Sequence, residues 1–131
     1  MTRDAGEDKT LSQFILPYKQ HIDRDLDSIL CYNPETLEKS KGKWQTNIGD
    51  WMATVCYEHA NPLFKARTGK NIDICLLNHG GIRAILPKGN ISARNAYEIM
   101  PFENNLVVIG LTFEKIVELT EYFVSEKKPH P

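Results

Sequence analysis

The chain has 131 residues, about one domain on a prior of roughly 150 residues each. With 41% hydrophobic and 25% charged residues, it holds enough apolar side chain to fold rather than stay disordered. Sixteen Lys and Arg stand against seventeen Asp and Glu, a net charge of -1, so no global field draws in nucleic acid or an anionic membrane.

The first ten residues, MTRDAGEDKT, carry no apolar signal-peptide core, and residues 1–9 read as a frayed, disordered lead-in to a domain over 10–131. Leu11, Ile15, Tyr18, Ile22, Leu26 and Ile29 keep the three-and-four spacing of one helical face, with Pro17 expected to start, kink or split that helix. Ile29–Tyr32 reads as a strand ended by Asn33-Pro34, and residues 35–43 as a charged connector. A second helix carries the stripe Ile48, Trp51, Met52, Val55, Cys56 and His59, capped by Thr46 or Asn47 and closed by Pro62 and then Gly69.

Ile72–Leu77 is short, nearly all apolar and β-branched at its start, as expected of a strand covered on both faces. It ends at Asn78-His79-Gly80-Gly81, after which Ile82–Leu86 reads as another strand and residues 87–90 as a turn. Ser92 can cap a short helix through Ile99, stopped by Pro101. Leu106–Leu111 reads as a further strand, and Thr112 as the cap of a last helix with Phe113, Ile116, Val117, Thr120, Phe123 and Val124 on its inner side. The longest strongly apolar run, Leu106 to Ile109, is far short of the ~20 residues a membrane span needs. The order of elements predicts an α+β domain, a mixed sheet layered with helices, truncated at its C-terminal end.

Cys31, Cys56 and Cys75 are odd in number and lack CxxC or CxH spacing, so they read as small buried hydrophobes rather than a zinc site or disulfide framework. His21, His59, His79 and His130 are scattered, and no DxH, HExxH, GxSxG, P-loop or GxGxxG pattern occurs. The chain therefore shows no catalytic residue and no metal ligand of its own, and His79 has no sequence partner as a general base.

Two stretches can bind. At the end of Ile72–Leu77, Gly80 and Gly81 would let backbone N–H groups approach a ligand, and Arg83 could offer a bidentate fork to phosphate or carboxylate. The plainer reading of this stretch is a tight turn with a solvated arginine. In Met100-Pro101-Phe102-Glu103-Asn104-Asn105, Pro101 presents Phe102 for stacking on a base, and Asn104 could bond its edge. The plainer alternative is a core phenylalanine followed by a turn.

The run IDICLLNHGGIRAILPKGNISARNAYEIMPFENNLVVIGLTFEKI resembles the C-terminal domain of the 5'-nucleotidase and UDP-sugar hydrolase family: N-x-G-G-I-R, a Gly-x-Ile turn, a short helix, P-F-x-N and a hydrophobic strand. Gln45-Thr46-Asn47-Ile48-Gly49-Asp50 is similar to that family's helix-opening stretch, and the likeness covers about residues 45–117. It implies a domain that recognises a nucleotide or nucleoside, while a separate metallophosphoesterase domain or chain holds a divalent metal pair and performs hydrolysis. It also implies an extracytoplasmic, periplasmic or surface setting. Carried over, Asn78 and Arg83 contact substrate, Gly80 and Gly81 line the approach, Phe102 stacks on the base, and Asn104 hydrogen-bonds to it. Two readings stand beside this one: an interaction module that keeps the fold without ligand binding, and an autonomous enzyme using His79. Where the family carries arginines before its helix-opening stretch, this sequence has Lys39, Lys41 and Lys43, point charges without the bidentate fork. The family's second stacking aromatic has no counterpart before Pro131.

Overall fold

A computed structural model of the chain describes residues 8–40, 44–127 and 129. Residues 1–7 of the expected lead-in, together with Lys41 and Lys43, lie outside the described residues.

Asp8 starts helix α1 (Lys9–Leu26) by accepting from the N–H groups of Thr10 at 2.9 Å and Leu11 at 3.3 Å, two of the donors a helix start leaves open. The helix runs unbroken through Pro17, which removes one N–H but leaves the remaining turns to hold. Strand β1 (Ile29–Asn33) follows as expected. Thr46 caps α2 (Asn47–Thr68), its hydroxyl accepting from Gly49 at 3.2 Å. Pro62 does not close this helix. Gly69 does, with φ 73, a left-handed conformation that glycine adopts without steric cost.

Strand β2 (Gly89–Ser92) overturns the expected turn over 87–90. It pairs antiparallel with β1, Asn33 opposite Gly89 and Ile29 opposite Ser92, with an irregularity between Ile29 and Cys31. Turn-forming residues enter a strand here because β1 offers their backbone a ladder, and Gly89 accommodates φ 116 at its start. Helix α3 (Ala93–Ile99) starts at Ser92, whose N–H and hydroxyl both donate to the Asn95 side-chain oxygen, at 3.0 and 3.2 Å.

Ile72–Leu77, Ile82–Leu86 and Leu106–Leu111 form no ladder among the described residues, contrary to expectation. The only pairing in these runs is an isolated bridge in which Leu37 and Leu86 exchange backbone hydrogen bonds of 2.9 Å. A strand has no internal hydrogen bonds, so apolar, β-branched sequence alone cannot define one without a neighbour. Helix α4 (Phe113–Glu126) forms behind Thr112, but its expected inner side is not buried. Ile116, Leu119 and Phe123 are half-buried, while Phe113, Val117 and Val124 are exposed. The Thr120 hydroxyl turns back to the Ile116 carbonyl at 2.9 Å.

The core is one cluster of Leu37, Ile48, Ile82, Leu86, Ile91 and Ile99, with Met52, Ala84 and Met100 packed against it. It gathers the connector after β1, the start of α2, the segment after the double glycine, and both ends of the β2–α3 unit. The class is α+β, helices about a two-stranded antiparallel sheet. Cys31 is exposed on β1, against the expectation of burial, whereas Cys56 and Cys75 are half-buried. Burial pushes both of those thiols up, and Cys56 pushes Cys75 further, which keeps them protonated and unreactive at neutral pH.

Candidate functional site

The turn after Leu77 is built by its own residues. Asn78 caps a single 3-10 turn over His79–Gly81, its side-chain oxygen accepting from Gly80 at 3.0 Å and its carbonyl from the Gly81 N–H at 2.8 Å. A Cβ at Gly80 would stand 3.4 Å from that same Asn78 oxygen, an ordinary contact, so the Asn78 side chain lies close over the turn. Asn78 therefore spends its acceptor inside the turn and has its amide N–H groups to offer outward.

Ile82 then plunges into the core with no exposed surface, which fixes where Arg83 emerges. The Arg83 backbone N–H donates to the Ile99 carbonyl at 2.7 Å, tying this turn to the end of α3, three residues before Phe102. Its guanidinium is exposed and reaches back to the Gly80 carbonyl at 3.4 Å. Phe102 is 56% exposed, which settles the choice between a core ring and an available one in favour of the latter. Asn104 donates to the Phe102 carbonyl at 3.3 Å, a local turn that sets the loop's shape.

Three polar side chains named in the sequence for other reasons shape this region through bonds the sequence did not announce. Asn33, buried at the end of β1, donates to the carbonyls of Glu35, Leu86 and Pro87. Asn47 bonds the backbone of Thr36 and Glu38. Lys39, half-buried, donates to the carbonyls of Ile82 at 2.5 Å and His79 at 3.4 Å. The sequence marks Asn47 as a possible cap and as part of the helix-opening stretch, Asn33 as the end of a strand, and Lys39 as a basic residue in place of a family arginine. Lys39, and Asn33 in two of its three bonds, act on backbone carbonyls 40 or more residues away, and such contacts leave no local pattern.

Two open hollows lie beside α2, one lined by Tyr57, Glu58 and Cys75, the other by His59, Phe64, Arg67, Leu106 and Val108. Neither is lined by Asn78, Arg83, Phe102 or Asn104. Among the described residues no three His, Cys, Asp or Glu side chains gather, so their donor set does not fit a metal pair. No described helix is long and apolar enough to cross a membrane.

Comparison with known proteins bears on the same region. The sequence pattern of the 5'-nucleotidase C-terminal domain matches residues 30–130. The trifunctional nucleotide phosphoesterase protein YfkN of Bacillus subtilis is 36% identical over 81 residues, 62% of this chain but 5% of that protein. The 5'-nucleotidases of Vibrio vulnificus and Vibrio cholerae are 23% and 20% identical over 118 and 120 residues, nearly nine-tenths of this chain. The chain spans 20% or less of the length of these relatives. With more than three-quarters of its length inside the matched span, this chain belongs to the 5'-nucleotidase C-terminal domain family.

Proposed function

We propose that residues 10–131 form the nucleotide-recognition part of a 5'-nucleotidase-type phosphohydrolase. Hydrolysis would be performed outside the cytoplasm by a metallophosphoesterase domain or chain that holds a divalent metal pair. In this reading Phe102 stacks on the base and Asn104 bonds its edge. Arg83 and the Asn78 amide receive the charged end of the ligand, with Gly80 and Gly81 leaving the approach open.

The observation that carries the reading is the bond from the Arg83 N–H to the Ile99 carbonyl. It joins the guanidinium's turn to the loop whose aromatic ring is more than half exposed. A ring and a cation on adjoining loops suit a ligand that is flat at one end and anionic at the other.

Titrating AMP while following Phe102 and Arg83 by NMR is expected to move both signals, and Phe102→Ala to weaken binding by about 1–3 kcal/mol. If neither signal moves up to millimolar AMP, the chain is an interaction module that keeps the fold without the ligand. The pure chain with Mn2+ or Zn2+ is expected to leave AMP intact. Robust hydrolysis would reject the division of labour.

A further inference from the structure

We infer that Lys39 is a positioning residue for the candidate site, acting through the backbone of the turn rather than on the ligand. This rests on the nucleotide reading above only for its functional consequence; the clamp itself is a matter of geometry. Lys39 lies on the connector after β1, and its ammonium donates to the carbonyls of His79 and Ile82. Those two residues bracket Gly80-Gly81, so a single cation spans the turn from outside.

The placement has a physical logic. Two successive glycines give the segment more conformational freedom than any other pair would, and a site there requires that freedom to be removed. Asn78 fixes the entry to the turn and the Arg83 N–H fixes its exit. Between them the carbonyls of His79 and Ile82 each take a hydrogen bond from the half-buried Lys39 ammonium. A charged donor makes roughly twice as strong a hydrogen bond as a neutral one, and an ammonium has three N–H groups to share between two acceptors. Resemblance alone would count Lys39 with the basic residues that meet an anion. In this chain two of its three donors are committed to the turn, and in the nucleotide reading the exposed Arg83 guanidinium takes the ligand's charge instead.

The segment that carries Lys39 is itself well held. Leu37, two residues earlier, is in the core and pairs with Leu86, while the Glu38 N–H donates to the Asn47 side chain at 2.8 Å. The clamp is therefore anchored to the core on one side and to the binding turn on the other, which is what a residue acting through geometry requires.

The test uses the ligand-free chain first. In Lys39→Met the amides of Gly80, Gly81 and Arg83 should exchange with solvent about tenfold faster, with α4 amides unchanged, because the lost bonds are charge-assisted. Lys39→Arg, which can still donate to both carbonyls, should restore slow exchange. With AMP added, Lys39→Met should bind about tenfold more weakly, since small displacements of a positioned group are costly. The wild-type Lys39 ammonium signal, observed with 15N-labelled lysine, should stay in place on saturation. Unchanged turn amides in Lys39→Met, or an ammonium signal that moves with AMP, would overturn the inference. If Lys39→Met is too unstable to study, the wild-type ammonium signal decides alone. Should wild-type chain bind no AMP, the nucleotide reading fails, while the ligand-free exchange rates still judge the clamp.

Discussion

Asn33 shows how much one buried carboxamide can organise. It sits at the end of β1, almost without exposure, and its NH2 group serves the carbonyls of Glu35, Leu86 and Pro87. That arrangement turns the chain out of the strand and holds the stretch before β2 against it. Asn33→Asp keeps the shape but replaces both donors with acceptors facing carbonyls, so it should be at least as harmful as Asn33→Ala. Both are expected to lower stability by about 1–3 kcal/mol, measured as a drop in the denaturant midpoint. An aspartate that left the midpoint unchanged would show that the carboxamide donors contribute nothing. At the candidate site the same logic applies to Asn78, whose oxygen closes its own turn. Asn78, Gly80, Gly81 and Arg83 were legible in the sequence because turn chemistry is local. The roles of Lys39 and Asn33 were not, because Lys39's partners and two of Asn33's three lie 40 to 54 residues away.

Helices divide sharply from strands in what the sequence foretold. Thr46, Ser92 and Thr112 stand where expected at the starts of α2, α3 and α4, and Gly69 at the end of α2, whereas Asp8, read as lead-in, caps α1. Helical hydrogen bonds and caps lie within a few residues, so sequence spacing reports them directly. The prolines misled because Pro17 and Pro62 each remove one donor, too little to end helices of 18 and 22 residues. Strands failed for the opposite reason: Ile72–Leu77 and Leu106–Leu111 have the composition of strands but no ladder partner among the described residues. Helix α1 is attached in its own way. It buries no residue, and Arg94 of α3 reaches Asp23 at 2.7 Å and Asp27 at 3.0 Å. The two carboxylates hold the Arg94 guanidinium above its usual range, so it keeps its charge at any pH the fold survives. Arg94→Ala should speed proteolysis within α1 while leaving the unfolding of the core unchanged. Equal cleavage in both proteins would show that the helix is held by other contacts.

The molecule as a whole has a small core and a large apolar surface. Among the described residues six buried side chains form the cluster, while Val107 and Ile109 are 78% and 69% exposed on a run that pairs with no strand. Such a run is a template for pairing with another extended chain. Ile109→Lys should therefore reduce light scattering by concentrated protein without lowering its melting temperature, since it removes no buried contact. Scattering that persisted unchanged would locate the self-association elsewhere. The attachment of α1 has its own consequence at this level. The family match begins at residue 30, beyond the end of that helix. The preceding arm meets the family domain through the Arg94, Asp23 and Asp27 cluster and a backbone bond from the Ala93 N–H to the Ser28 carbonyl at 3.1 Å, with no residue of the helix fully buried. Counterions weaken the charged part of that fastening within a screening length of about 8 Å at physiological ionic strength, and they spare the apolar interior. High salt should therefore loosen the N-terminal arm while the body it leans on stays folded.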